Sequence, residues 1–334
     1  MDTHARWSRC LLAGGLGALL LVTACSGGGH SPATPGASSS STAAPRPTPS
    51  GPVPLTGGPV LAVKVDDTEN ARPRVGLDQA DVVYVEPVEG GLTRLLAVFS
   101  RHLPTQVGPV RSGRESDVDL LANYGPVAFA FSGTNAHTAR ILARGKQVNL
   151  SWDQNPRGYR RDGSRPAPYN VIGDPKALLA RAGGSVKPRD IGFRYGPAVP
   201  GGTPAAGVAA VWPSATVALR WNAARKQYLV TTNGRADKSP KGIQYGATTV
   251  VVQQVITRMS TNRDVNGQRT PVVTVIGKGK ADVLRDGKVW HGTWARTGAT
   301  APTVYTAGGA RLTFAPTGPV WVLLVAPGQH VTVR

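Results

Sequence analysis

The sequence predicts an α+β chain. A mixed α/β domain over residues 57–195 precedes an all-β domain over residues 205–334, of sandwich or open-barrel kind. Three observations carry this. The first segment alternates short apolar runs with helix-start signals. After a glycine- and proline-rich joint, Gly196 to Ala206, the pattern becomes short strands separated by hairpin dipeptides. The first 56 residues show neither pattern.

Those first residues address the chain to a membrane. Arg6 and Arg9 precede an apolar run, Leu11 to Val22, which is shorter than the roughly 20 residues a spanning helix needs. Val22-Thr23-Ala24-Cys25 then resembles a lipobox, with cleavage before an acylated Cys25. Residues 1–24 are thus read as a lipoprotein signal peptide. Residues 25–56, rich in Ser, Pro and Gly, form a disordered tether because they cannot bury enough apolar surface to offset their ordering entropy. The expected location is the extracytoplasmic face of the cell membrane, with the lipid on Cys25 as anchor. The only other cysteine is Cys10, so a mature chain has no free thiol, and thiol catalysis, disulfides and cysteine–zinc sites are excluded.

The formal net charge is +19, from 38 Lys+Arg against 19 Asp+Glu. The two signs are unevenly placed. Residues 196–334 hold 16 basic and 4 acidic residues, while ten of the 19 acidic residues lie between Asp66 and Asp119. Outside a membrane, such a basic half fits lipid head groups or anionic wall polymer, or is simply a solubilising surface; nucleic acid is not an expected partner.

Within the folded part, Pro59 to Val65 reads as a buried strand ending in Asp66-Asp67, which are expected to be turn-forming, solvated carboxylates. Arg72 to Ala80 is a connection. Asp81 to Val88 and Leu92 to Phe99 form an antiparallel pair around Glu86-Pro87-Val88-Glu89-Gly90-Gly91. Arg94 lies inside the second apolar run and needs a partner, for which Glu86 or Glu89 across the turn is the natural candidate. Ser112 and Glu115 have capping-box spacing before a helix carrying Val118, Leu120 and Leu121. Arg111 and Arg114 beside that helix start suggest anion recognition.

Gly125 to Phe131 is a further strand, followed by a polar turn containing Asn135 and a helix. His137, in the first turn of that helix, reads as a surface residue. Residues 151–174 form a long loop whose Trp152, Tyr159, Arg160, Arg161, Arg165, Tyr169 and Asn170 suit sugars or phosphates. In the C-terminal half, Asn233-Gly234, Asn266-Gly267, Asp286-Gly287 and Gly308-Gly309 punctuate strands read at 247–256, 271–276, 302–306, 310–315 and 320–326. No metal-ligand spacing appears among the histidines, and no cofactor is expected.

Several runs together resemble the YerB-like lipoproteins, which carry paired N- and C-terminal halves of domain of unknown function 3048. They are Val63-Lys64-Val65-Asp66 with Ala71-Arg72-Pro73, Gly76-Leu77 with Ala80-Asp81-Val82-Val83-Tyr84, and Glu86 to Arg94. Gly108-Pro109-Val110-Arg111-Ser112 and Ala167-Pro168-Tyr169-Asn170 follow, with Trp221, Tyr228, Val250 to Gln253 and Gly318-Pro319-Val320-Trp321 in the second half. The resemblance implies the two-part architecture and a lipoprotein's location, and no reaction.

Two functions remain open on the residues. The first is a tethered binding or scaffolding lipoprotein. It would recognise an anionic wall polymer, a glycan or an envelope protein through Arg94, Arg111, Arg114, Asn135, Arg160, Arg165, Tyr169 and Asn170. The absence of G-x-S-x-G, S-x-x-K, H-E-x-x-H and thiol nucleophiles favours it. The second is an envelope-glycan hydrolase using Glu86 and Glu89 as its carboxylate pair, with Asp66 as the alternate.

Overall fold

The computed structural model describes residues 53–54, 58–186, 189–264 and 266–334. The signal peptide and Cys25 lie outside the described residues, as does almost all of the expected tether. Val53–Pro54 is the exception. This pair forms a strand with Arg194–Tyr195, so ordered backbone begins before the expected start at residue 57.

The chain is α+β, and one sheet dominates it. Twelve strands run in the order Ala310–Arg311, Val304–Ala307, Lys288–Arg296, Gly277–Arg285, Thr249–Gln254, Val320–Val325, Val82–Pro87, Thr93–Phe99, Leu61–Asp66, Ala128–Ala130 and Val148–Asn149, with Thr203–Pro204 added to Lys288–Arg296. The first six come from the C-terminal half and the next five from the N-terminal half. They meet where Val320–Val325 lies parallel to Val82–Pro87. Both strands are apolar on both faces, as befits a sheet buried on both sides. Residues 49–334 accordingly form one compact unit.

One face of this sheet packs against a six-stranded sheet whose path is Arg235–Ala236, Gln227–Thr232, Ala215–Asn222, Gly207–Trp212 and Val331–Val333, with Gly246–Ala247 on Gln227–Thr232. Val63, Val65, Val83, Val85, Leu95 and Ala97 meet Val208, Ala210, Val217, Leu219 and Tyr228 there. The opposite face, through Ala62, Tyr84, Leu96 and Val98, is covered by the Ser116–Ala122 helix with Leu120, Leu121 and Tyr124. Turn chemistry holds where it was read. Asp286 and Gly287 both have positive φ (53° and 71°) between paired strands, the conformation a two-residue hairpin requires.

Local readings differ in two places. The 151–174 loop contains a strand pair, Tyr159–Arg161 with Val171–Gly173. The expected capping box is absent, for Ser112 makes no cap and the Glu115 side chain instead accepts a hydrogen bond from Ser260 Oγ at 2.6 Å. Asp117 takes over the helix start, its Oδ2 accepting from Arg114 N at 2.6 Å.

Candidate functional site

Three strand ends and one loop bring the charged residues together. Cross-strand register sets Asp66 beside Arg94 and Arg94 beside Glu86, all on one sheet face. The Gly108 to Ser112 run lies alongside the Leu61–Asp66 strand: Asp66 N donates to Pro109 O at 3.0 Å and Arg111 N to Lys64 O at 2.9 Å. Arg111 is thereby delivered next to Asp66.

Asp66 and Asp67 were expected to be solvated. Both are buried, because each is held by an arginine and a hydroxyl. Asp66 Oδ1 accepts from Thr68 N (2.7 Å) and Thr68 Oγ1 (2.5 Å), and its Oδ2 accepts from Arg111 Nε at 2.6 Å. Burial alone would raise this carboxyl, but Arg94, Thr68 and Arg111 outweigh it and hold the group below its ordinary range. Asp67 accepts from Thr93 Oγ1 at 2.5 Å and pairs with Arg74.

Arg94 is 5% exposed. Its expected partners are occupied elsewhere, since Glu86 pairs with Lys64 at 2.6 Å and Glu89 with Arg114 at 2.6 Å. The carboxylate left to it is Asp66, whose Oδ2 is 3.7 Å from Arg94 Nη2, beyond hydrogen-bond reach. Arg94 Nε is buried with no protein partner. Burial and the neighbouring Arg114 charge pull its pKa down to about 10, which still leaves it charged at neutral pH. Arg111 gives only Nε to Asp66, and its guanidinium lies 5.2 Å from the centre of the Tyr169 ring. Arg114, by contrast, is engaged throughout, with Nε and Nη2 on Glu89 Oε2 and Nη1 on the carbonyls of Ser112 and Gly113. Two arginines thus share one carboxylate that already accepts three hydrogen bonds, and their Nη groups make none among the described residues.

All three arginines line a cleft of about 730 Å³ with Thr68, Glu89, Thr134, Asn135 and Tyr169. Its other wall is C-terminal: Ser214, Asp264, Asn266 and Gln268. The last three sit at the tip of the hairpin formed by Ile256–Arg263 and Arg269–Thr274, which is docked by Thr270 Oγ1 donating to Glu89 Oε1 (2.6 Å) and by the Ser260–Glu115 bond. Ser214 is brought in by a close approach of turns. Its N donates to Gly91 O at 2.9 Å, and a Cβ on Gly91 (φ 69°) would stand 2.5 Å from Pro213.

Behind the cleft, Lys64 bridges Glu86 (2.6 Å) and Asp117 (3.0 Å), all three 0–1% exposed. Two carboxylates facing one ammonium favour uptake of a proton. Burial, with Asp117 adding to it against the pull of Lys64, raises Glu86 to about 7.

The expected ligand-binding residues therefore divide. Arg94, Arg111, Arg114, Asn135 and Tyr169 share the cleft. Arg160 bonds Gln106, Arg165 ties its loop to the carbonyls of Ala71 and Pro73, and Asn170 accepts from Arg161; none of these lines the cleft. Asn135 also caps the Ala136–Leu142 helix, accepting from Thr138 N. Neither Glu86 nor Asp66 lines the cleft, and both oxygens of Glu89 already accept hydrogen bonds, so the carboxylate pair is not presented as hydrolysis would need. His137 lies 3.5 Å from Glu115, and among the described residues no group of three His, Cys, Asp or Glu is placed to hold a metal. Sequence reasoning missed Thr68, Lys64, Asp117 and the hairpin tip. A lysine in the apolar Val63-Lys64-Val65 run was the available signal for the buried triad. Nothing linear placed residues 264–268 near Arg94.

Comparison with known proteins agrees with this architecture. A family model described as a protein of unknown function (DUF3048) N-terminal domain matches residues 48–188, and the DUF3048 C-terminal domain matches residues 208–322. "Putative lipoprotein YerB" of Bacillus subtilis (strain 168) is 48% identical over 113 residues, which span 33% of this chain and 33% of that protein. The crystal structure of YerB from Bacillus subtilis superposes with a TM-score of 0.68 at 22% identity, covering 83% of this chain and 94% of that one, a likeness of fold. The chain belongs to the DUF3048 family and carries both its N-terminal and its C-terminal domain.

Proposed function

We propose that the protein is a lipoprotein, anchored through Cys25 on the extracytoplasmic face of the membrane, that binds an anionic group of a cell-envelope component in the cleft between its two halves. The lipobox-like sequence and the name of the Bacillus relative support the anchor. One observation carries the binding reading. Arg94 and Arg111 share the Asp66 carboxylate, which already accepts from Thr68 N, Thr68 Oγ1 and Arg111 Nε, and both line a cleft large enough for a ligand with Nη groups that make no hydrogen bond among the described residues. A buried arginine without hydrogen bonds is costly unless something completes it.

The test uses full chain purified in detergent and mixed with isolated envelope. Retention that weakens with salt, and is lost in Arg94→Met and Arg111→Gln, is expected. Retention unchanged in both variants would overturn the reading. Mass spectrometry of the supernatant serves the alternative: released fragments that disappear in Glu89→Gln would establish glycan hydrolysis instead. Anchoring is checked separately, since Cys25→Ala should move the chain out of the membrane fraction.

A further inference from the structure

We infer that the group recognised in this cleft is a phosphoryl group carried on a sugar or polyol. The inference rests on the anion-binding reading above and narrows it. The first argument is the donor set. Arg111 spends only Nε on Asp66, leaving both Nη groups, while Arg94 Nε has no protein partner and its Nη2 comes no closer than 3.7 Å to a carboxylate oxygen. One guanidinium comes from the Thr93–Phe99 strand and the other from the loop beside Leu61–Asp66, and both meet Asp66 Oδ2 and line the cleft. A flat carboxylate matches one fork, whereas a tetrahedral phosphoryl group presents oxygens to two at once.

The second argument is the rest of the cleft. Its volume of about 730 Å³ far exceeds that of a bare anion, so a ligand that fills it has a body. Besides the arginines and Glu89, which Arg114 and Thr270 occupy, the lining is mostly hydrogen-bonding, with Thr134, Asn135, Ser214, Asn266 and Gln268, and one aromatic ring, Tyr169. The Gln268 amide lies across Gly90, its Oε1 3.0 Å from where a Gly90 Cβ would sit. Side-chain amides and hydroxyls beside a ring face suit a polyhydroxylated body, with hydroxyls on the amides and C–H edges on the ring. The Asp264 carboxylate on the same wall accepts hydroxyls and disfavours a second anionic group there.

Calorimetric titration of the detergent-solubilised full chain tests this with five probes: inorganic phosphate, glucose 1-phosphate, glycerophosphoglycerol, glucuronate and glucose. Glucose 1-phosphate or the diester should bind about 10-fold tighter than inorganic phosphate, as one or two added hydrogen bonds imply. The monoester being the tighter would mark a free metabolite or chain end, and the diester a polymer interior. Glucuronate should be weaker than either, and glucose should not register. Gln268→Ala with Asn266→Ala should erase the 10-fold advantage and leave phosphate binding unchanged, while Arg111→Gln should weaken every anion. Equal binding of phosphate and its sugar ester would overturn the sugar inference and leave the anion site standing. Glucuronate equal to the phosphates would overturn the phosphoryl assignment. No binding of any anion would overturn the underlying reading itself. Among the described residues the Gln268 and Asn266 side chains have no partner, and Arg111→Gln, which removes a bond to buried Asp66, is read only on protein whose thermal unfolding matches the wild type.

Discussion

Two buried arginines of this protein, Arg74 and Arg94, sit either side of Asp66 and lead opposite lives. Arg74 is wholly buried and fully used, with Nε donating to Asp66 O at 2.8 Å and its Nη groups engaging Asp237 and Asp67. Burial alone would lower its pKa, but the two carboxylates more than reverse that. Arg94 is nearly as buried, yet among the described residues its side chain makes no hydrogen bond, and its pKa is lowered. Complete pairing marks a charge that holds structure together. Incomplete pairing at nearly equal burial is what the binding proposal expects of a charge kept for something outside the chain. Arg74 also reaches from the N-terminal half to Asp237, tying it to the C-terminal half.

The comparison breaks most sharply at Arg74. Arg74→Ala leaves two buried carboxylates facing each other and should cost about 3–5 kcal/mol, read as a lower urea midpoint with both halves unfolding in one transition. Two separate transitions would refute the view that the shared sheet makes one cooperative unit. Next, Gly91→Ala should cost about 2 kcal/mol, combining left-handed strain with a clash on Pro213; near-wild-type stability would show that the two turns need not touch.

The Glu86 triad predicts a pH dependence of intermediate size. The folded carboxyl keeps its proton to about 7, whereas unfolded it releases it near 4.5. Between these values the folded state binds more protons, so stability present below the lower value is lost as pH rises through the upper one. The slope is at most about 1.4 kcal/mol per pH unit for one proton. Asp66 and Glu89, both lowered, act in the opposite sense but only at more acidic pH. Denaturation across pH 5–7 should show the decline, and Glu86→Gln should flatten it.

The smallest effect belongs to Arg94 itself. Arg94→Met removes a charge that faces Asp66 at 3.7 Å without a hydrogen bond, and Asp66 keeps Arg111 and Thr68, so stability should fall by about 1 kcal/mol, less than in Arg74→Ala, while anion binding disappears. A loss as large as that of Arg74→Ala would place Arg94 among the structural charges and end the distinction.

How much of this was legible beforehand follows from the range of each signal. Apolar runs such as Val82 to Val85 and turn pairs such as Asp286-Gly287 are short-range patterns, and they gave the strands, the hairpins and the α+β class. Arg94 stood out because a guanidinium in an apolar run must be explained. Arg111 and Arg114 stood out because they lie beside an expected helix start, whose free N–H groups favour anions. The pairings were not legible, because they depend on which groups meet at a strand end: Glu86 was claimed by Lys64, Glu89 by Arg114, and the Ser112–Glu115 spacing by Ser260 of a distant hairpin.

The sequence by itself determined the elements and the residues that needed an explanation, since hydrophobic period and turn chemistry act over a few positions. Only the tertiary structure decided that Val320–Val325 would lie beside Val82–Pro87, joining two halves into one sheet. The docking of a distant hairpin through Thr270 and Ser260 then sets Asp264, Asn266 and Gln268 in one cleft with Arg94. A cleft whose two walls come from opposite halves of the chain comes into being only when the chain is packed.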